Sequence, residues 1–276
     1  MTVGIVGLGL IGGSFARSLK EMTNHKVLGA DISQKALYAA KLLNVIDGEL
    51  TGENIGKCDI VLVSLYPEKA VEYIKENAKK FKKGAYVIDC CGVKRFVCES
   101  LLPVAEKNGF VFLGGHPMAG TQTWGFEHSR SSMFKGAPMI ITCFEKLDIS
   151  ELEELKNFFV SLGFAKLQLT TPDEHDRIIA LTSQLAHVVS NAYVKSPTAK
   201  KRMGFCAGSY RDMTRVADLN DEMWTELFLE NRDYLAEEID FLADNLKKYS
   251  KALKNNDADA LRRLLEEGKE GKREDR

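Results

Sequence analysis

The stretch "TVGIVGLGLIGGSFARSLKE", residues 2–21, carries the strongest local signal in this chain. It opens with a short β-branched run, places Gly7, Gly9 and Gly12 in GxGxxG spacing, and continues as an amphipathic helical pattern. The next segment, "HKVLGADIS", predicts a second strand that ends at Asp31. A strand, a glycine turn, a helix, a strand and an acidic residue in this order form the fingerprint of a dinucleotide-binding βαβ unit.

Each part of this fingerprint has a physical task. Gly7 permits the tight turn, Gly9 lets the backbone approach a pyrophosphate, and Gly12 lets the helix pack closely on the strand. The helix N-terminus offers free N–H groups and the positive end of its dipole to the phosphates. Asp31 would accept hydrogen bonds from the adenosine ribose and repel a 2′-phosphate, which predicts NAD rather than NADP. A tight turn that binds no ligand is the alternative interpretation.

The composition excludes several classes of partner. The chain has 276 residues and a net charge of -1, so we expect neither a nucleic-acid interface nor a membrane-binding surface. Its six cysteines include no CxxC pair, which indicates free thiols in a reducing cytoplasm. The N-terminus has no basic stretch followed by an apolar one, so we expect no signal peptide. No His, Cys or Asp cluster has metal-ligand spacing, and we expect no metal.

Strand and helix patterns alternate through residues 1–168, which we interpret as a Rossmann-type α/β dinucleotide-binding domain. Fully apolar strands such as "CDIVLVSLYP" are typical of a parallel sheet that is covered on both faces. Ligands bind such sheets at the carboxyl ends of the strands. Asp31, Ser64, residues 90–92 and His116 all fall at predicted strand ends. The predicted cofactor-binding residues are Gly7, Gly9, Leu10, Ile11, Gly12, Asp31, Ser64 and Gly92.

The segment "GGHPMAG", residues 114–120, holds a histidine in an unusual setting. Pro117 pushes His116 out of the helical region, and the flanking glycines allow backbone conformations that a Cβ forbids. We therefore predict that His116 lies on a stiff turn at the end of a strand, at the same edge as the cofactor phosphates. A loop histidine that merely bonds to the backbone is the alternative.

Residues 169–276 lack strand patterns and predict an all-α substrate and dimerisation domain. The segment 172–196 is predicted to be one long helix that is buried on nearly all sides, since residues 178–194 carry no charge. Polar residues recur along it at steps of three and four and form one stripe. These residues are Ser183, Gln184, His187 and Asn191. A substrate cleft and internal hydrogen bonds explain this stripe equally well.

The segment 220–254 is predicted to be a second long helix. Its apolar residues alternate at four and three positions, a seam that suits packing against another long helix. The seam consists of Leu235, Ile239, Leu242, Leu246, Tyr249 and Leu253. We expect it to form a homodimer core, with packing inside one chain as the alternative. Residues 256–267 predict a short final helix, and residues 269–276 predict a solvated tail.

Five blocks of sequence carry a resemblance to a known family. In chain order they are "GLGLIGGS", "GGHPMAGT", "HDRIIALTSQLAHVV", "SYRDMTRVA" and "MWTELFLEN". Together they resemble the prephenate/arogenate dehydrogenases of tyrosine biosynthesis, over nearly the whole chain. The resemblance implies a reaction in which NAD takes a hydride from the ring carbon that carries the hydroxyl group, while the ring loses its carboxyl group as CO₂.

The resemblance also implies roles for individual residues. His116 would accept the hydroxyl proton, and Arg215 would clamp the ring carboxylate with its planar fork. His187 would be a second histidine on the substrate side, so these three are the predicted catalytic residues. The predicted substrate-binding residues are Thr121, Gln122, Gln184, His187 and Arg215.

Purely structural roles remain as alternatives for some of these residues. Arg215 could form a surface ion pair with Asp212 or Asp218, and His187 could be a satisfied core histidine. Two further histidines match no expected role, and we predict that both are surface or helix-capping residues. These are His128 and His175.

Two positions depart from the family pattern. Gly92 stands where a serine hydroxyl is usual, so that water or Cys91 would have to replace it, or the proton relay would be simpler. Gln122 is neutral where an acidic residue is frequent. Because the ammonium group of arogenate favours a nearby carboxylate, Gln122 favours prephenate, although a partner chain could supply an acid.

Two other functions stay open on the sequence. A β-hydroxyacid dehydrogenase would share the two-part architecture, but "HDRIIALTSQLAHVV" lacks the lysine that such an enzyme needs on its first interdomain helix. A nucleotide-binding protein without turnover is the other possibility, which the missing serine at Gly92 leaves open.

Overall fold

An eight-stranded sheet organises the first part of the computed structural model, which describes residues 1–274. The strands lie in the order β3-β2-β1-β4-β5-β6-β7-β8. Their bounds are β1 Thr2–Val6, β2 Lys26–Ala30, β3 Gly48–Glu49, β4 Ile60–Val63, β5 Tyr86–Asp89, β6 Val111–Pro117, β7 Pro138–Thr142 and β8 Lys166–Leu169. The predicted α/β fold is confirmed.

Helices connect the strands, and further helices follow the last strand. Within the sheet region they are α1 Leu10–Met22, α2 Gln34–Leu42, α3 Pro67–Asn77, α4 Arg95–Asn108 and α5 Ile149–Ser161. After the sheet come α6 Pro172–Ile179, α7 Ala186–Tyr193, α8 Gly208–Thr214, α9 Asp221–Glu230, α10 Arg232–Lys254 and α11 Ala258–Glu274. Among residues 1–274, none of the helices combines the length and the apolar character that a membrane span requires.

All neighbouring strands from β3 through β6 are parallel, whereas β7 runs antiparallel to β6. Strand β4 is buried at every position, as expected for a sheet that is covered on both faces. On one face, Phe15, Phe134, Phe159 and Phe164 pack their rings together. Helices α3 and α4 cover the other face. This half therefore forms two buried apolar clusters within the chain itself, one on each face of the sheet.

The predicted helix 172–196 differs from the structure in two ways. A π-helical segment, Ala180–Leu185, separates α6 from α7. The prediction that this helix is buried on nearly all sides is wrong for the single chain, because Ile178 and Leu181 expose about half of their surface, at 50% and 52%. The uncharged face is thus left open by the chain that carries it.

The predicted helix 220–254 breaks at Asn231, between α9 and α10. The Asn231 side chain is fully buried and donates to the Asp176 carbonyl and to Gln184 Oε1, both at 2.8 Å. These two hydrogen bonds hold the backbone at the break between the helices, and no local sequence pattern predicts them. Of the predicted seam, Leu235 alone is buried, and Leu246 is 60% exposed.

The C-terminal prediction is also wrong in part. Helix α11 continues to Glu274, so residues 269–274 are helical, although residues 269–273 are exposed to solvent as predicted. The Tyr249 hydroxyl donates to the Leu264 carbonyl at 3.0 Å and ties α11 to α10. The last two residues of the predicted tail, Asp275 and Arg276, lie outside the described residues.

Candidate active site

His116 lies within a strand, which corrects the prediction of a turn. It pairs with Ile140 of β7, beyond the last pair that β6 makes with β5. The glycine before it is required by space, since a Cβ on Gly115 would lie 2.4 Å from the Asp89 carbonyl oxygen. The bare backbone of Gly115 therefore carries His116 past the end of β5, to the edge where the parallel strands terminate.

The His116 ring belongs to a chain of hydrogen bonds that ends on a carboxylate. His116 Nδ1 lies 2.9 Å from His175 Nε2, and His175 Nδ1 lies 2.7 Å from Asp176 Oδ1. Because a carboxylate only accepts, His175 Nδ1 carries the proton and its Nε2 is an acceptor. His116 Nδ1 must then donate, which leaves His116 Nε2 without a proton. The chain of bonds thus fixes the tautomer in which His116 is a base.

The same surroundings keep His116 neutral. Burial lowers its pKa well below 6.5, and His175 and the charge of Lys94 lower it further. Burial is also the main cause that lowers the pKa of His175. The prediction that His175 is a surface or capping residue is wrong, because its side chain is fully buried between His116 and Asp176. His128, in contrast, is exposed as predicted.

Asp176 joins the two halves of the chain. Its carboxylate accepts from the backbone N–H groups of Lys94 and Arg95 at 2.7 and 2.9 Å, at the start of α4. A carboxylate at a helix N-terminus is favoured by the free N–H groups and by the helix dipole. A residue of α6 therefore caps a helix of the sheet region and holds His175 against His116.

A buried ion pair lies beneath this relay. Lys94 Nζ donates to Asp89 Oδ2, and both side chains are fully buried. Burial alone would lower the pKa of Lys94, but the Asp89 carboxylate raises it above the ordinary value. Asp89 also accepts from the N–H groups of Cys91 and Gly115, at 2.9 and 3.2 Å. The pair therefore ties the ends of β5 and β6 together and keeps a positive charge near His116.

The residues of the polar stripe differ in their surroundings, since some are bonded inside the protein and others are partly exposed. Gln184 is buried, donates to the Leu227 carbonyl at 3.0 Å and accepts from Asn231, so its amide is used inside the protein. Asn191 Nδ2 lies 3.4 Å from the Ala217 carbonyl. His187 is half-buried, donates from Nδ1 to the Ser183 carbonyl at 2.9 Å, and has its ring 3.8 Å from that of Trp224.

Arg215 and Gln122 meet at the end of α8. The Arg215 side chain is exposed, and across residues 1–274 it forms neither of the ion pairs considered from the sequence, with Asp212 or Asp218. Burial lowers the pKa of His187, and the charge of Arg215 lowers it further.

The loop that follows β6 reaches across to this position. Gln122 Nε2 donates to the Arg215 carbonyl, whereas the exposed Thr121 hydroxyl contacts Thr123 at 3.0 Å. The structure therefore brings Arg215, Gln122 and His187 together and leaves Gln184 inside the fold.

The glycine turn after β1 has the space that a phosphate group needs. Gly7 has a φ of +83°, and a Cβ on it would lie 2.4 Å from the Ser64 carbonyl oxygen at the end of β4. Gly9 has nothing within 4 Å of the position where a Cβ would stand. Because no side chain caps the N-terminus of α1, the N–H groups of Leu10 and Ile11 remain available to an anion.

The remaining cofactor predictions lie along the same edge. A Cβ on Gly12 would lie 1.8 Å from the Gly7 carbonyl oxygen, so only glycine fits there. Asp31 follows β2, and its carboxylate accepts from the N–H groups of Leu8 and Ser33 at 2.6 and 2.7 Å. Gly92 faces Leu227 of α9.

Cys91, considered as a substitute for the missing serine, directs its thiol to the Leu65 carbonyl at 3.5 Å. Among the described residues, no group of three His, Cys, Asp or Glu side chains could hold a metal ion.

The residues that orient His116 were not predicted from the sequence. Asp89 and Lys94 stand in "DCCGVK", and His175 and Asp176 stand in "DEHD". A histidine next to an acid at a helix start was a signal for such a relay, but it equally fits a helix cap.

The family model for the nucleotide-binding domain of prephenate dehydrogenase matches residues 15–168, and that for its dimerization domain matches residues 171–267. The prephenate dehydrogenase of Bacillus subtilis (strain 168) is 28% identical over 98% of this chain and 74% of its own length. The cyclohexadienyl dehydrogenase of Zymomonas mobilis is 28% identical over 94% of this chain and 90% of its own length.

Two solved structures agree with this result. Prephenate dehydrogenase from A. aeolicus, in complex with hydroxyphenyl propionate and NAD+, is 29% identical, with a TM-score of 0.83 over 100% of this chain and 98% of that one. Arogenate dehydrogenase from Synechocystis is 26% identical, with a TM-score of 0.83 over 99% of both chains.

Proposed function

This chain belongs to the prephenate dehydrogenase family, and we propose that it catalyses the NAD-dependent oxidative decarboxylation of prephenate to 4-hydroxyphenylpyruvate. Residues 1–168 form the nucleotide-binding domain in this proposal, and residues 169–276 form the substrate and dimerisation domain. The observation that carries it is the relay from Asp176 through His175 to His116, which leaves a neutral nitrogen as a base at the edge of the sheet.

The glycine turn fits the pyrophosphate of NAD. Gly9 leaves open space, and the uncapped start of α1 offers N–H groups to the phosphates. Asp31 lies at the end of β2, where its carboxylate repels a 2′-phosphate and thus favours NAD over NADP. When bound, NAD supplies the acceptor for the hydride that leaves the substrate ring.

The chain's own residues handle the proton and the carboxylate. His116 Nε2 accepts the proton of the ring hydroxyl. The carbon–oxygen bond of that hydroxyl group becomes a carbonyl as the hydride leaves the ring carbon. The ring carboxyl group then departs as CO₂, its bonding electrons complete the aromatic ring, and the phenolate oxygen takes the proton back from His116. Arg215 holds that carboxylate through its exposed guanidinium, with His187 beside it.

Prephenate is favoured over arogenate because the loop near His116 presents an amide. Gln122 is neutral and already bonds to the Arg215 carbonyl. A keto acid side chain needs no carboxylate partner, whereas a desolvated ammonium group without one is costly. Thr121 lies beside Gln122 on the same loop and is proposed to contact the same end of the substrate.

Kinetics with both substrates and both cofactors test this proposal. We expect a higher kcat/KM for prephenate than for arogenate, and for NAD than for NADP, measured by NADH or NADPH absorbance. Q122E should shift the preference toward arogenate, and D31S should narrow the gap between the cofactors. Equal or reversed substrate preference would refute the role of Gln122. Absence of turnover with both substrates would refute the proposed function and favour a binding protein.

We also propose that the active form is a homodimer. The family model that matches residues 171–267 describes a dimerization domain. In the single chain, Leu181, Leu246 and Leu253 expose more than half of their apolar surface on the helical half. A second copy of that half would cover these side chains.

A further inference from the structure

We propose that Cys98 and Cys143 are a disulfide-forming pair, and that closing this disulfide slows the enzyme. Cys98 lies in the first turn of α4, and Cys143 directly follows β7. Both are buried free thiols, at 1% and 8% exposure. The Thr142 hydroxyl lies 3.4 Å from Cys98 Sγ and 3.7 Å from Cys143 Sγ, so that one oxygen atom contacts both sulfur atoms.

The backbone at Cys143 places the second thiol on the side of the first. Side chains alternate between the two faces of a regular strand, so Cys143 would lie on the face opposite to Thr142. Its φ of +63° breaks this alternation and turns the side chain into the apolar cluster that contains Cys98. A left-handed conformation is unfavourable for a residue other than glycine. The chain thus holds a thiol at a position that glycine would fill without strain.

The two thiols differ in the way that disulfide exchange requires. Contact with Cys98 lowers the pKa of the Cys143 thiol, whereas contact with Cys143 and burial raise the pKa of Cys98. Cys143 is also the more exposed of the two, at 8% against 1%, so it is the sulfur that attacks the external disulfide first.

A small oxidised disulfide is the co-reactant. Attack by Cys143 forms a mixed disulfide and releases one thiol. Attack by Cys98 on Cys143 Sγ then releases the second thiol. Overall, two protein thiols are oxidised, one external disulfide is reduced, and the two protons leave on the released thiols.

The pair lies directly behind the strand that carries His116. A Cβ on Gly114 would lie 2.3 Å from Thr142 Oγ1 and 2.8 Å from Cys98 Sγ, so these side chains fill the space against β6. Thr142 Oγ1 also lies 3.4 Å from the Gly114 carbonyl oxygen. A bond between the sulfur atoms changes their packing against Thr142 and thereby moves Gly114, two residues before His116.

Peptide mapping tests the disulfide itself. The full-length protein is treated with oxidised glutathione, quenched with acid and alkylated under denaturing conditions. We expect a cross-linked peptide that joins α4 to the segment after β7, and its loss on reduction. C143G should abolish the cross-link and, because it relieves the left-handed strain, should fold at least as well as the wild type. C58A, which removes another buried thiol, should leave it intact. Full alkylation of Cys98 and Cys143 after oxidation, or a different cross-link, would overturn the proposal.

Turnover tests the consequence, and this readout alone rests on the proposed function. We expect oxidation to lower kcat by about tenfold or more, with recovery after reduction, because small displacements of a catalytic group are costly. C143G should resist this loss. Loss of activity in C143G to the same extent would show that another thiol is responsible and would overturn the link to His116. A cross-link in a protein without turnover would support the disulfide while the proposed function fails.

Discussion

The two halves of the chain differ in where their apolar residues find partners. The two clusters of buried apolar residues, one on each face of the sheet, are formed entirely by the sheet half. The helical half leaves Leu181, Leu246 and Leu253 largely exposed. The first half thus holds a core of its own, whereas the second half leaves apolar surface that the proposed homodimer would cover.

The chemistry nevertheless crosses the boundary between the halves. His116 comes from β6, and His175 and Asp176, which orient it, come from α6. Glu226 of α9 likewise accepts from the Glu68 N–H at 2.6 Å, at the start of α3. Two carboxylates of the helical half thus cap two helices of the sheet half. The site forms where the helical half packs against the sheet half, although the cores of the two halves are separate.

Removal of the base should have the largest effect. We expect H116N to lower kcat by roughly 10²–10⁴, because proton transfer to a positioned base contributes about that much. Its affinity for NAD, measured by titration, should change little, since the glycine turn is untouched. H128N, which alters an exposed histidine of the same half, is the matched control. Near-normal turnover in H116N would show that the sheet half does not supply the base.

Removal of the relay from the helical half should have the next largest effect. In H175N the His116 Nδ1 proton loses its acceptor, and His116 can adopt the tautomer whose Nε2 carries the proton. We expect kcat to fall by about 10² on this account. E174Q, on the neighbouring exposed residue, should be close to wild type.

The pH profile separates orientation from simple loss of structure. His116 acts as a base only when neutral, and burial holds its pKa well below 6.5. The wild-type rate should therefore decline only at pH values clearly below 6.5. In H175N this decline should move to higher pH, because His175, one of the groups that lower the pKa of His116, is gone. An unchanged rate and profile would remove α6 from the mechanism.

The sequence predicted the sheet half well because its signals are local. β-Branched runs, the GxGxxG turn and Pro67 at the start of α3 each act within a few neighbouring residues. His175 was misjudged because a histidine beside an acid at a helix start also fits a cap. Its partner lies 59 residues away, and the Lys94 N–H that meets Asp176 lies 82 residues away.

Long-range bonds also explain the errors in the helical half. The break at Asn231 depends on Asp176 and Gln184, which lie 55 and 47 residues earlier in the chain. The local pattern on both sides of Asn231 is helical, so nothing short-range distinguishes two helices from one. The seam of α10 packs only in part within residues 1–274, since Tyr249 bonds to Leu264 whereas Leu246 and Leu253 stay exposed.

The proposed homodimer predicts that substitutions in the two halves affect assembly differently. The wild type should sediment at twice the chain mass of 30.8 kDa at micromolar concentration. L246E places a charge on the exposed seam of α10 and should yield monomers, because burying an unpaired charge is costly. L43E alters an equally exposed leucine of the sheet half and should remain dimeric. An active wild-type monomer would show that the helical half needs no partner.

The smallest effect concerns Glu230, a carboxylate of α9 at the boundary. Its Oε2 atom is buried and has no hydrogen-bond partner among the described residues. Burial raises its pKa to about 8, and the charges of Glu226, Glu68 and Asp176 add to the shift. The folded state therefore keeps a proton on Glu230 that the unfolded chain, with an ordinary pKa of 4.5, releases. Stability should fall as pH rises from 4.5 to about 8.

E230Q retains the shape of the protonated carboxyl group and cannot lose a proton. Its advantage in the free energy of unfolding should be absent near pH 4.5 and grow to about 1 kcal/mol at pH 8, a figure reduced for the partial exposure of the side chain. E222Q, on an exposed residue two turns earlier in α9, is the matched control and should show no such growth. Urea denaturation at both pH values measures the difference. An equal advantage at both would mean that Glu230 is charged throughout, and that the boundary tolerates four neighbouring carboxylates because water still reaches them.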